Sequence, residues 1–421
     1  MLQQLGIQGS VTELSAFARV VDGHPLILRL AAGYLREYCG SQLSRVQEMG
    51  KQFEQIAAEA EGLHRDKQDA CLSWILQQHF QRLTTTQRDF LFNLSVHRQP
   101  FDYQAAARML PADGEVTPMT IQQSLRELFN RSLLLEAEDK YLYQPLIRQY
   151  VQQQGMDLRV AHQKAINYYL LNLKQRPWQT IDDVTEYLET FYHHCELKQY
   201  AQAFNTIRYS SSNDDCDNFL SLSGYSAIRV QLYSQVVQAW QPSENEIWKF
   251  SASLNSLGSA YYFLGEYHQA IDYYQQSLEI VQEIGDRSGI AYSLNNLGSA
   301  YDALGEYQQA IDYHQQSLVI AREIGDRRGE ADTWFNLAIV LNKLNQQQDA
   351  MGAYRNSRQL YQAMQLDADV QDCDNEIQQI EASLAAVSQP VVRRFPVGVL
   401  GFVWRWLQRL WALVRGRFRR R

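Results

Sequence analysis

The chain repeats itself. Sliding the sequence by 40 residues lays Ser251–Ile290 over Ala291–Glu330 with about 28 identities, far more than unrelated segments share. Leu257-Gly258-Ser259-Ala260-Tyr261, Leu264-Gly265-Glu266-Tyr267 and Ala270-Ile271-Asp272-Tyr273 recur as Leu297-Gly298-Ser299-Ala300-Tyr301, Leu304-Gly305-Glu306-Tyr307 and Ala310-Ile311-Asp312-Tyr313. A weaker third copy carries Leu337-Ala338, Leu341, Leu344, Ala350 and Tyr354. Leu257, Tyr261 and Leu264 fall at i, i+4 and i+7, one face of a helix. Gly258 lets a paired helix come close, and Gly265 stands where the first helix ends and positive φ is favoured. Ala270 and Ile271 open the packing face of the second helix. Gly285-Asp286-Arg287 and Gly325-Asp326-Arg327 punctuate the steps between copies. One such hairpin cannot bury its apolar face alone, so the copies must stack.

This pattern resembles the tetratricopeptide (TPR) family, in the longer variant also found in kinesin light chains and adaptor proteins of cell polarity. The resemblance spans roughly Trp248–Asp367. Upstream, Tyr192-His193-His194-Cys195 followed by Tyr200-Ala201-Gln202-Ala203-Phe204 looks like a degenerate copy, with the His-His-Cys run on a helix face; no further ligands stand at a metal-binding spacing. The resemblance implies a concave surface of first helices that takes a protein or peptide. Mapped residue by residue, that surface would show Asn255, Ser259, Tyr262, Asn295, Ser299, Asp302, Phe335 and Asn342. Asn suits the task because it offers donors and an acceptor to a peptide amide. The plainer reading is a polar helix surface with no ligand. The Lys-rich carboxylate clamp of chaperone-binding members is absent.

In the N-terminal half, Ser10-Val11-Thr12-Glu13 has the capping-box pattern and starts a helix at about residue 11. Leu14, Phe17 and Val21 line one face of it, and it stops at Gly23-His24-Pro25. Pro25 suits the first turn of a second helix through Leu26, Leu30 and Leu35. Trp74–Leu83, Thr86–Val96, Asp102–Leu110 and Thr120–Asn130 read as helices. Two short strands follow, Leu133–Glu136 and Lys140–Tyr143, with acidic residues at their turn. Helices followed by a hairpin describe a winged-helix unit.

That order resembles the back half of the nucleotide-binding switch module of STAND proteins, the NB-ARC family. Asp22-Gly23-His24-Pro25-Leu26 stands for its Gly-x-Pro motif, Leu125–Leu135 for the winged-helix end, and Tyr143-Gln144-Pro145-Leu146-Ile147-Arg148 for its Met-His-Asp motif. The likeness spans about Leu5–Gln154 and implies a vestigial cofactor site at His24, Pro25 and Gln144, where Gln replaces the family's phosphate-contacting His. No G-x-x-x-x-G-K-[ST] occurs in the chain, so the backbone cradle and Lys that hold phosphates are missing. The expectation is therefore no enzyme, no catalytic residue, no metal and no cofactor, with ADP or ATP entering only if another chain supplies the P-loop half. The winged helix also raises a DNA-binding regulator as an alternative. Its last helix carries Gln122, Gln123, Arg126, Asn130 and Arg131 but also Glu127, and the net charge of the chain is −8, so no nucleic acid is expected.

That net charge is unevenly spread. Nine Arg and no Asp or Glu lie between Arg393 and Arg421. At 100° per residue Arg405, Gln408, Arg409, Ala412 and Arg415 fall in an arc of about 120°, with Trp404, Trp406, Leu407, Leu410 and Trp411 opposite. Trp404, Arg405, Trp406, Arg409, Trp411 and Arg415 would place such a helix in an anionic membrane interface rather than across it; docking on a protein and self-association are the competing readings. Scattered cysteines and a start without a basic or apolar leader fit a cytoplasmic protein, peripheral at the inner membrane surface through its tail.

The expected architecture is mainly α: a helical and winged-helix N-terminal part, a TPR α-solenoid and a C-terminal amphipathic helix. Residues 1–65 form an ARC-like helical segment, 66–155 a winged-helix-like domain, and 156–247 a helical linker with a degenerate repeat. TPR repeats fill 248–385 and the Arg/Trp-rich tail 391–421. The expected function is a TPR sensor or scaffold carrying the remnant of a STAND switch module.

Overall fold

The computed structural model describes residues 1–39, 43–63, 66–110, 118–208 and 215–388. It is mainly α, with twenty α-helices and one two-stranded sheet among the described residues. These form two units, Met1–Gly265 and Glu266–Arg421.

The first unit opens with α1 (Val11–Val20), α2 (Pro25–Cys39), α3 (Leu43–Gly62) and α4 (Lys67–Gln81). The capping box is present: the Glu13 amide donates to Ser10 Oγ at 3.3 Å and the Ser10 amide to Glu13 Oε2 at 3.0 Å. Leu14, Phe17 and Val21 are buried, and Gly23 at φ +70° makes the bend that Pro25 follows. Helix α3, inside the segment expected to be helical, buries Val46, Met49 and Phe53, the last packed edge-on against Trp74 of α4.

Next come α5 (Thr85–Leu94), α6 (Tyr103–Met109), α7 (Pro118–Asn130) and the hairpin of β1 (Leu135–Ala137) and β2 (Lys140–Leu142). The strands pair antiparallel with Leu135 opposite Leu142. Glu138 and Asp139 both take positive φ at the turn, which suits the right-handed twist of a two-residue hairpin. Phe101 bridges Tyr141 from the far side of the hairpin, through a pair of 2.8 Å backbone hydrogen bonds. A Cβ at Gly33 of α2 would lie 2.6 Å from the carbonyl oxygen of Arg131, so the end of α7 rests directly on α2. One continuous apolar core runs from Leu2 to Tyr169.

Helices α8 (Pro145–Gln152), α9 (Arg159–Leu171), α10 (Thr185–Glu196), α11 (Tyr200–Arg208), α12 (Cys216–Leu222), α13 (Ser226–Ala239) and α14 (Ile247–Phe263) complete the unit. From α9 to α14 each helix packs on the next. Lys198 takes φ +57° between α10 and α11, the place Gly265 fills in the clear repeats. His193, His194 and Cys195 are all buried, so α10 is enclosed on more than the one face expected for the degenerate copy.

The second unit is a run of helical hairpins: α15 (Tyr267–Glu283), α16 (Arg287–Leu304), α17 (Tyr307–Ile324), α18 (Arg327–Lys343), α19 (Gln347–Ala363) and α20 (Asp367–Ser388). Gly285 and Gly325 follow α15 and α17 in the left-handed region, at φ +70° and +71°. Asp286 and Asp326 then cap α16 and α18, accepting from the amides of Gly289 and Gly329 at 3.0 and 2.9 Å. The Gly-Asp-Arg punctuation is thus a helix stop followed at once by a helix start. The weaker third copy puts Asn345 at φ +61° where the others have Gly.

Candidate functional site

Asn255, Ser259 and Tyr262 stand on α14 in the first unit, Asn255 buried and the other two half-buried. Asn295, Ser299 and Asp302 stand on α16, and Phe335 and Asn342 on α18, all half-buried in the second unit. Helices α16 and α18 are in contact. Asn295 Oδ1 accepts from His314 Nδ1 of α17 at 3.0 Å and from Asn336 Nδ2 of α18 at 3.3 Å. Seven residues further along α16, Asp302 Oδ2 takes Lys343 Nζ at 2.7 Å, while its Oδ1 is buried with no hydrogen-bond partner among the described residues. Phe335 turns its ring toward the core, edge-on to Tyr354 at 5.3 Å.

His314 holds this face in place from below. It is fully buried, burial drives its imidazole down to about 3, and it is neutral at physiological pH. A neutral ring can donate to Asn295 through Nδ1 without bringing charge into the core. Ser317 and Ser357 bind the carbonyls of Ala291 and Ala331 at 2.8 and 2.9 Å, repeating one contact a full copy apart.

The residues of the vestigial nucleotide site have local roles. The Ile27 amide donates to His24 Nδ1 at 3.4 Å, Pro25 opens α2, and Gln144 precedes α8 without capping it. Among the described residues no hydrogen bond joins them. Trp404, Arg405, Trp406, Arg409, Trp411 and Arg415 lie outside the described residues. Among those described, no helix is long and apolar enough to cross a membrane, and no group of His, Cys, Asp and Glu is arranged to hold a metal ion.

A buried polar cluster escaped the sequence reading. His97, after α5, meets Tyr169 Oη of α9 at 3.0 Å, and His162 Nδ1 of α9 meets His193 Nδ1 of α10 at 2.8 Å. The Tyr169 and His193 rings stack at 5.6 Å. Burial lowers His97 and His162 to about 4 and holds His193 well below the ordinary histidine value. The cluster therefore joins α9 and α10 to the loop after α5 with neutral rings. Burial also pushes the Cys195 thiol up to about 12, which leaves it a poor nucleophile.

Residues 250–323 and 303–363 match the tetratricopeptide repeat family model. An uncharacterized WD repeat-containing protein of Nostoc sp. is 28% identical over 131 residues, 31% of this chain and 9% of that protein's length. Among solved structures, a Pyrococcus horikoshii STAND protein with a tetratricopeptide repeat sensor is similar at 12% identity, covering 87% of this chain and 66% of that one, with a TM-score of 0.33. Aspartyl phosphate phosphatase F of Bacillus subtilis is similar at 11% identity, covering 80% and 83%, with a TM-score of 0.40. At such scores neither bears on function. The chain carries tetratricopeptide repeats.

Proposed function

From a chain with tetratricopeptide repeats over residues 250–363, we propose a non-enzymatic interaction protein that holds a partner's peptide along the α16–α18 face. The observation behind this reading is Asp302, whose Oδ1 is buried without a donor while Lys343 occupies Oδ2. Rotation of the Asp302 carboxylate toward the surface would let a peptide amide supply the missing donor, and Ser299 and Asn342 lie within a turn or so of the Asp302–Lys343 pair to bind further main-chain groups. A photo-crosslinking residue at Ser299, compared with one at the exposed Gln316 of α17, tests it. Adducts to a common partner from Ser299 alone are expected; equal labelling from both positions rules the face out.

The element order of α5–α7 and the hairpin, with the Phe101–Tyr141 bridge, supports reading residues 66–155 as a winged helix and residues 1–155 as a STAND switch remnant. ADP or ATP would then bind only with a P-loop half from another chain. Calorimetric titration of ADP into this chain alone should give no heat of binding; a saturable signal would overturn that reading. For the tail, the separation of Arg from Trp supports an interfacial membrane tether.

A further inference from the structure

The first unit contains a cleft of about 740 Å³ that the repeat face does not use. Its walls are the loop Arg98–Asp102, Lys140 of β2, Tyr168 and Tyr169 of α9, and faces of α10 and α13. Asp182, on the 3₁₀ turn Ile181–Asp183 before α10, and Glu186 and Glu189 of α10 all open onto it.

The cleft already holds one guanidinium. Arg98 reaches both carboxylate oxygens of the buried Glu189, at 2.9 and 3.3 Å, and its Cζ lies 3.7 Å from the centre of the Tyr192 ring. Carboxylate below and ring beside is the arrangement a planar cation prefers. One helical turn earlier, Glu186 presents a second carboxylate that forms no ion pair among the described residues. Its Oε2 is buried and accepts no hydrogen bond. The cations nearby do not answer it. Lys174 is held by Asp183 Oδ1 at 3.3 Å and the Asp182 carbonyl at 3.1 Å, and Lys140 is exposed on β2. Tyr168, whose hydroxyl donates to Asp102 at 3.1 Å, offers a second aromatic wall. On α13, Gln231 and Gln235 stand one turn apart on the cleft, with amides suited to an extended main chain.

We propose that this cleft binds an arginine side chain of an extended peptide, its guanidinium seated on Glu186 in the way that Arg98 is seated on Glu189. Asp182 adds charge at the mouth, and Gln231 and Gln235 hold the peptide's main chain. The site is independent of the repeat face. The same guanidinium can come from a separate protein or from the nine Arg of residues 393–421 of this chain.

The test is fluorescence anisotropy of a labelled Gly-Arg-Gly-Arg-Gly-Arg peptide with the full chain, beside the matching Lys peptide. Binding of the Arg peptide at least tenfold tighter than the Lys peptide is expected. E186Q, which keeps the side chain's shape, should weaken it about tenfold and D182N less, while E283Q, the same charge loss at an exposed position of α15, should leave it unchanged. A full-length variant with the nine C-terminal Arg changed to Gln separates the sources: if it binds the probe much more tightly than the wild type, the chain's own segment fills the cleft. In the nine-Gln variant, equal affinity with and without E186Q overturns the proposal, as does equal affinity for Arg and Lys peptides. So does absence of binding to both the wild type and the nine-Gln variant. Unaltered Ser299 crosslinking in E186Q would show that failure here leaves the repeat-face reading standing.

Discussion

Gly298 of α16 and His314 of α17 exclude any larger side chain between them: a Cβ at residue 298 would lie 2.6 Å from the His314 ring. That ring is fully buried and tied to Asn295, so it cannot swing away cheaply. G298A is expected to destabilise the chain by ~1–3 kcal/mol. Gly352 of α19 has nothing within 4 Å of its missing Cβ, and G352A should stabilise by ~0.5–1 kcal/mol through helix propensity. Urea unfolding of the two variants decides it; shifts of the same sign would refute the packing argument.

Asp217 of α12 and Arg229 of α13 form an ion pair at 2.7 Å with both side chains almost wholly buried, and Arg208 adds a contact at 3.2 Å. Removing one partner leaves a charge without compensation. D217A should therefore cost ~3–5 kcal/mol, and the paired replacement D217L/R229M should recover much of that loss. Thermal unfolding of the single and double variants is the measurement, and a double variant no better than D217A counts against it.

Buried histidines set an acid limit on stability. Burial holds His97 and His162 at about 4 and His314 at about 3 in the folded chain, against an ordinary value of 6.5. Above pH 6.5 they are neutral in both states. Between 6.5 and 4 the unfolded chain takes up protons that the folded chain refuses, so stability falls as pH falls, by up to ~1.4 kcal/mol per pH unit per histidine. Asp157 and Asp183, held near 2 by their hydrogen bonds, retain their charge across that window. Denaturation midpoints at pH 7.5, 6 and 5 should decline, and H97Q should decline less steeply. A flat profile would contradict the burial assigned to these rings.

The Arg/Trp tail is tested by sedimentation with liposomes. The full chain is expected to pellet with anionic vesicles and to stay in solution with neutral ones, while a chain ending at Pro390 stays in solution with both. High salt should weaken the pelleting through screening of the Arg charges. Equal behaviour of the two chains would end the tether reading.

Much of the fold was legible because its signals are local. The 40-residue identity, the positive-φ glycines and the Asp caps together mark out the hairpins from α15 to α18, and a capping box with Gly23 and Pro25 marks the first two helices. The stretch from α10 to α13 was harder. Its stop at Lys198 lacks the glycine signature, and Asp217 and Arg229 occupy buried positions where periodicity expects apolar residues. On the repeat face, the sequence pointed to Asn295 and Asp302 but not to what engages them, since His314 and Lys343 lie 19 and 41 residues away. The histidine cluster and the Glu186 cleft likewise assemble from separate segments, and no spacing rule connects them.

The joints of the array have one more implication, for how such a chain changes length. The step into α16 reads Gly285-Asp286-Arg287, and the step into α18 reads Gly325-Asp326-Arg327. Excising Arg287–Asp326 would bring Asp286 directly against Arg327 and recreate the same stop-and-start junction, with Asp286 positioned to cap the Gly329 amide in place of Asp326. Duplicating the same stretch would do likewise. The array can therefore lose or gain a whole hairpin with the stop and the cap of the junction both kept, so its length is adjustable in steps of one copy.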